Sequence, residues 1–346
     1  MKIIVDAMSG DNAPDAVVKG VVDAVKELSV EAVLVGKGEV ILDCLNKMGM
    51  DTLPKGIEIA NADDVVTMED DPTSVLKTRK ESSMVLGLKM LADGEGDAFI
   101  SAGNTGALLT ASTLLVRRIH GVRRACFGPV IPTKTGSLVL IDCGANVECT
   151  PSFLQQFAIM GSVFANKIMN IERPRVALLN NGTESCKGTA VLKEAYAVLE
   201  DTDKKGLIRF IGNIEARDAM LGGTDVLVSD GFTGNIFLKA VEGTALFMMS
   251  ELKHIFTASM FTKLAAAVCR KGIRSIKSKM DYRETGGTAI VGLKKTVIKA
   301  HGSSDARAIR SAILQATYYA KADISDSIGS ELQKLSSPEV QIESSN

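Results

Sequence analysis

At 346 residues, 46% of them hydrophobic, the chain is large enough to bury a full core, as one large domain or two intimately joined ones. Its 40 basic and 41 acidic residues leave a formal charge of -1, which excludes a global field that recruits nucleic acid or anionic lipid, so any such attraction is local. Six cysteines without Cys-x-x-Cys spacing and three histidines argue against a zinc site or a disulfide framework. The first strand-like run, Ile3-Ile4-Val5, is too short to be a signal peptide, and no segment offers the roughly 20 consecutive apolar residues of a membrane span, so the expected location is the cytoplasm.

Strand-like runs at 3 to 5, 32 to 35 and 57 to 60 alternate with helix-like stretches from Pro14 and Glu39, the signature of βαβ units and a mostly parallel sheet. Ala16, Val17, Val21, Ala24 and Val25 follow Pro14 at helical spacing, which predicts a core-facing amphipathic helix. Strands are expected near 97 to 101, 126 to 131 and 137 to 142. The Pro132-Thr133-Lys134-Thr135-Gly136 break between the last two reads as a hairpin, hence one antiparallel pair. A long helix after Pro151, strands at 175 to 179, 208 to 212, 225 to 229 and 296 to 300, and a helix from Ser304 complete the pattern.

From Asn235 to about Lys279 the chain reads as wholly helical. Its first half is apolar on nearly all sides through Ile236, Phe237, Leu238, Val241, Leu246, Phe247, Met248 and Met249, which implies burial in a core or a subunit interface. Its second half sets Ile255, Phe256, Met260, Phe261, Leu264 and Val268 among Lys253, Lys263, Arg270, Lys271, Arg274, Lys277 and Lys279, with no acid between Glu251 and Asp281: a basic amphipathic segment. Beyond about Asp323 the chain is polar and Ser-rich, and is expected to be loosely ordered.

Loops of Gly, Asn, Ser and Asp recur after the strands: Ser9-Gly10-Asp11-Asn12, Ser101-Ala102-Gly103-Asn104-Thr105-Gly106, Asp142-Cys143-Gly144-Ala145-Asn146, Asp230-Gly231-Phe232-Thr233-Gly234-Asn235 and His301-Gly302-Ser303-Ser304-Asp305. Such loops present backbone N–H groups and suit a phosphate, and parallel neighbouring strands gather them at one sheet edge. None fits a dinucleotide fingerprint or a P-loop. Taken singly, each is equally a tight strand-to-helix turn; the repetition favours an anion site. Lys187, in the Gly-rich loop from Asn180 to Gly188, is either a point charge for phosphate or a developing oxyanion, or a solvated surface lysine. His301 is a donor or proton shuttle beside a helix whose N-cap is Ser303 or Ser304, or its segment serves capping alone. No Gly-x-Ser-x-Gly nucleophile pattern is present, and no cysteine has a recognisable partner signature, so direct attack by a bound oxyanion is favoured over an acyl-enzyme.

Over about residues 1 to 321 these motifs, together with Val5-Asp6-Ala7-Met8-Ser9-Gly10-Asp11, Gln156-Phe157-Ala158-Ile159-Met160-Gly161-Ser162 and Lys299-Ala300-His301-Gly302-Ser303-Ser304-Asp305, resemble the PlsX-type bacterial phosphate acyltransferases, which make acyl phosphate from acyl-acyl-carrier protein and inorganic phosphate. The resemblance implies an α/β fold with a mostly parallel, Rossmann-like sheet and helices on both faces, related to phosphotransacetylases and isocitrate-dehydrogenase-like enzymes, with a protruding helical hairpin at about 235 to 279. One domain would span 1 to 322, followed by a tail from 323 to 346. It implies catalytic roles for Lys187 and Asn235, and a substrate cleft containing Asp6, Gly10, Asp11, Ser101, Gly103, Asn104, Thr105, Gly106, Asn146, Asp230, Gly231, Gly234, His301 and Ser303. It further implies a homodimer at the start of phospholipid synthesis, peripheral to the membrane, whose product passes to an integral glycerol-phosphate acyltransferase, with no nicotinamide or metal cofactor. Ser9 stands where the family has a second glycine, Asn12 where it often has histidine, and Asn181 and Thr183 alter the loop before Lys187.

On periodicity alone the basic segment is as well explained by core or dimer packing. The family's membrane habit points instead to Phe256, Met260, Phe261, Leu264 and Val268 entering a lipid interface, while an acidic carrier protein is the other partner for the same cations. Two rival functions remain open on sequence: an NAD-dependent dehydrogenase of isocitrate-dehydrogenase-like fold, which lacks its fingerprint here, and a non-catalytic membrane-surface scaffold.

Overall fold

A computed structural model of the chain describes residues 1–273 and 286–336. In chain order the elements are β1 (Lys2–Asp6), α1 (Asp15–Leu28), β2 (Glu31–Gly36), α2 (Gly38–Lys47), β3 (Ile57–Asn61), α3 (Val75–Thr78), α4 (Ser83–Asp93), β4 (Ala98–Ser101), α5 (Thr105–Leu115), β5 (Cys126–Gly128), β6 (Val130–Pro132), β7 (Ser137–Ile141) and α6 (Pro151–Met169). There follow β8 (Arg175–Leu179), α7 (Ala190–Lys204), β9 (Arg209–Ile214), α8 (Ala216–Met220), β10 (Val226–Val228), α9 (Gly231–Thr257), α10 (Met260–Val268), β11 (Gly287–Val291), β12 (Thr296–Ala300), α11 (Ala306–Lys321) and α12 (Ile324–Ser336).

Two sheets result, with strand orders β3-β2-β1-β4-β12-β11-β5 and β6-β7-β10-β8-β9. In the first, β1, β2, β3, β4 and β12 run parallel; in the second, β7, β10, β8 and β9 do. Alternate side chains of β1 feed opposite cores. Ile3 and Val5 pack with Val17 and Val21 of α1 and Ile309 and Ile313 of α11, while Ile4 joins Met84 and Leu88 of α4. Each such fully buried side chain contributes about 1.5–3 kcal/mol, which fixes helices on both faces. The expected amphipathic helix after Pro14 is α1, with Val17, Val18, Val21 and Ala24 buried.

The stretch read as one strand at 126 to 131 divides at Pro129, which has no N–H to extend a ladder. Cys126–Gly128 pairs antiparallel with β11 in the first sheet, whereas Val130–Pro132 forms the expected hairpin with β7 in the second. The chain therefore crosses between sheets at this proline. Strand β11 is not among the strands expected from the sequence. A Cβ on Gly287 would lie 2.6 Å from Ile298 Cγ2, so the glycine permits β11 to approach β12 closely.

Three further expectations are corrected. The helix expected from Asn235 begins at Gly231, where Asp230 accepts from Thr233 N, and it breaks before α10, where Ser259 and Thr262 form a capping box. Arg274, Lys277 and Lys279 lie outside the described residues. The N-cap of α11 is Asp305, which accepts from Ala308 N at 2.9 Å, and not Ser303 or Ser304. Of the segment expected to be loose after Asp323, residues 337–346 lie outside the described residues, and residues 324–336 form α12, docked on α6 with Ile328 and Leu332 buried. Its polar composition hid two apolar positions one helical turn apart, enough to anchor it.

Residues of the α9–α10 hairpin also depart from burial. Phe237 is buried, yet Leu246 is 70% and Phe261 87% exposed, and α10 buries none of its residues. No helix among the described residues is long and apolar enough to cross a membrane.

Candidate active site

Because β1, β4 and β12 are parallel neighbours, the loops that follow them share one sheet edge. Buried Asp6 ties two elements together, its carboxylate accepting from Ser83 Oγ at 2.6 Å and Ser101 Oγ at 2.7 Å, while Ser101 Oγ accepts from Gly103 N. Asp11 N donates to Gly302 O at 2.8 Å, and Asn12 Nδ2 donates to the carbonyls of Ser303 and Ser304, so the first and last of these loops are sewn together. Gly10 has φ +113°, and a Cβ there would meet Ala102 Cβ at 2.9 Å; only glycine gives the chain this path. Asn104 caps α5 through Ala107 N and donates to the carbonyls of Thr67, Met68 and Asp70, and Gly106 packs against Pro72. The Ser9 and Ser304 hydroxyls are buried with no hydrogen-bond partner among the described residues, a deficit that concentrates at sites rather than in cores.

A second cluster follows β7, β10 and β8, also parallel neighbours. Here buried Asp142 accepts from the N–H groups of Phe127, Cys143, Ala145 and Asn146 and from Asn146 Nδ2. Burial raises its pKa above the usual carboxylate value, and these donors act against that rise. The first turn of α9 sits directly on this loop: a Cβ on Gly231 would meet Asn146 backbone at 2.7 Å, and one on Gly234 would meet Asp142 O at 2.0 Å. Asn235 lies beside Gly144 on the same edge, and exposed Lys187 lies in the loop after β8, next to Gly182.

Between the sheets lies a cavity of about 490 Å³. One side is apolar, made by Val130, Ile131, Pro132, Met220, Leu238 and Val241; the other is polar, with Asp11, Thr105, Lys239, Glu242, Lys299 and His301. Of the residues expected in the cleft, Asp11, Thr105 and His301 line this cavity; Asp6, Gly10, Ser101, Gly103, Asn104, Gly106, Asn146, Asp230, Gly231, Gly234 and Ser303 do not, and neither do Lys187 and Asn235, expected as catalytic. Lys239 and Glu242 pair at 2.8 Å. His301 Nδ1 accepts from Ser303 N, which leaves the proton of the neutral ring on Nε2, and burial with added repulsion from Lys239 and Lys299 lowers its pKa, favouring that neutral ring. Lys299, half-buried at the end of β12, stands in one of the sequence motifs but is given no role there. Burial lowers its pKa to about 8. The available signal was a lone cation closing the apolar run Val297-Ile298.

The buried and half-buried cysteines near these loops offer no nucleophile. Burial pushes Cys149 up to about 12 and Cys126 and Cys143 well above the ordinary thiol value, so all three are thiols at neutral pH. Among the described residues, no group of three or more His, Cys, Asp or Glu side chains is arranged to hold a metal ion.

The architecture is that of the phosphotransacetylase-like α/β proteins. A phosphotransacetylase from Streptococcus pyogenes superposes with a TM-score of 0.60 over 97% of this chain and 94% of its own at 18% identity, and a branched-chain phosphotransacylase from Enterococcus faecalis V583 with 0.56 over 92% and 99% at 15%. The 4-hydroxythreonine-4-phosphate dehydrogenase of Klebsiella pneumoniae has the same fold, with a TM-score of 0.54 over 92% and 99% at 13% identity. Residues 1–327 match the family model described as "Fatty acid synthesis protein". Proteins named phosphate acyltransferase from Acetivibrio thermocellus and Brevibacillus brevis are 43% and 45% identical, covering 97% and 96% of this chain and 97% and 98% of their own lengths. The chain belongs to this PlsX-type family of phosphate acyltransferases, and it is an acyltransferase.

Proposed function

We propose that this enzyme transfers a fatty acyl group from the thioester of an acyl-carrier protein to inorganic phosphate, forming acyl phosphate for phospholipid synthesis. The observation that carries the reading is the two-faced cavity, whose apolar wall suits an acyl chain and whose polar rim suits a phosphate. A phosphate oxygen attacks the thioester carbonyl, the tetrahedral intermediate collapses, and the carrier leaves as a thiolate. A thiolate is a good leaving group near neutral pH, so no strong general acid is required and His301 is not enlisted as one. Lys187, in the loop after β8, and Asn235, near the start of α9 after the neighbouring strand β10, would approach the reacting groups when the carrier docks, Asn235 or a loop amide supporting the oxyanion. The high pKa values of the buried cysteines support direct attack over an acyl-enzyme.

The hairpin supports peripheral membrane contact. Met260, Phe261, Leu264 and Val268 are 77%, 87%, 68% and 83% exposed, with half-buried Phe256 behind them and Lys263, Arg270 and Lys271 alongside. Exposed Leu246 and Phe247 on α9 support a homodimer contact nearer the body. The test of function is release of free carrier protein from acyl-acyl-carrier protein without lipid: release that rises with added phosphate supports catalysis, and release indifferent to phosphate refutes it.

A further inference from the structure

We infer that Lys299 is the cation that holds the phosphate nucleophile, at the polar side of the cavity between the two sheets. The inference rests on the proposed reaction and adds a residue to it. Lys299 Nζ donates to the carbonyl oxygens of Ala102 and Ala300, and among the described residues no carboxylate stands within ion-pair distance of it. An ammonium kept out of bulk water without a paired anion is expensive, and proteins keep such groups where a ligand supplies the anion. Thr105, the first residue of α5, lines the same space, so the positive end of an eleven-residue helix faces it. Lys187, by contrast, is exposed and lies outside the cavity lining.

Each charged group facing Lys299 has a place in this assignment. Asp6 at the end of β1 is committed to Ser83 and Ser101. Lys239 and Glu242 of α9 neutralise one another, and His301 is held toward its neutral form. Asp11, in the loop after β1, faces the cavity as a carboxylate acceptor. Hydrogen phosphate has an O–H to give to that acceptor and sulfate has none, so the site distinguishes the two anions.

The anion could be free phosphate or the phosphodiester of a carrier's pantetheine arm, and kinetics separate them. Lys299→Met is expected to raise KM for inorganic phosphate at least tenfold with KM for acyl-acyl-carrier protein unchanged, and Lys299→Arg to restore part of the loss. In wild type, kcat/KM for phosphate falls as pH rises past about 8, where Lys299 loses its proton; in Lys299→Arg that descending limb disappears. Inorganic phosphate should raise the melting temperature of wild type but not of Lys299→Met, and sulfate at the same concentration should raise neither. A Lys299→Met enzyme with wild-type KM for phosphate, or one impaired only toward the acyl carrier, overturns the assignment while leaving the proposed reaction standing. A wild type that makes no acyl phosphate overturns the reaction itself.

Discussion

Lys299→Met should stabilise the ligand-free protein, and the gain should depend on pH in a defined sense. The fall of the Lys299 pKa from 10.5 to about 8 amounts to about 3 kcal/mol of disfavoured charge, at about 1.4 kcal/mol per unit. Methionine removes that penalty but also removes hydrogen bonds to the Ala102 and Ala300 carbonyls, worth about 1 kcal/mol each, so the net gain at pH 7 is about 1–2 kcal/mol. For a chain of 346 residues this raises the melting temperature by about 1–3 °C. The folded pKa lies below the unfolded one, so between pH 8 and 10.5 the unfolded chain holds a proton that the folded protein has released, and wild-type stability gains on the variant as pH rises. The variant's advantage is therefore constant below about pH 8, shrinks by about 1.4 kcal/mol per unit above it, reverses near about pH 9, and leaves wild type the more stable protein at pH 10.5. Calorimetry in phosphate-free buffer across pH 6.5 to 10.5 measures this; a variant less stable than wild type by the same amount at every pH would show Lys299 to be a structural residue.

Gly234→Ala places a methyl against Asp142 O and should cost about 2–3 kcal/mol in urea unfolding, with activity lost in parallel; a change under about 0.5 kcal/mol would mean that α9 does not seat on that loop. Leu332→Ala should cost about 2–4 kcal/mol if α12 is part of the folded body, and no measurable change would return it to the status of a loose tail. Phe261→Asp with Leu264→Asp should weaken binding to anionic liposomes more than a hundredfold, since each side chain is worth about 1.5–3 kcal/mol on full burial, and leave lipid-free turnover intact. Unchanged liposome binding would remove the hairpin from the membrane reading.

The fold was legible wherever local chemistry determined the element. The βαβ alternation, the helix at Pro151 and the hairpin at Pro132 to Gly136 follow from periodicity and turn residues, and each is present. What sequence hid depended on long-range pairing. Nothing local says that the two halves of the 126 to 131 stretch join different sheets, or that the chain from Gly287 forms a strand between β12 and β5. The loops of the site were legible as a set because glycine and short polar residues mark them. Their division of labour was not: Asp6, Asn104 and Asn146 read as ligand groups but spend side-chain hydrogen bonds on holding neighbouring loops, and Lys299 reads as a strand residue but faces the cavity. Side-chain type alone does not say which polar group is already satisfied.

The most direct measurement is the stoichiometry of products when the purified enzyme meets acyl-acyl-carrier protein and inorganic phosphate, read by phosphorus NMR for acyl phosphate and by mass spectrometry for free carrier. One acyl phosphate per carrier released, with no release when phosphate is withheld, is the predicted result. Free fatty acid in place of acyl phosphate, or release that continues without phosphate, would contradict the account.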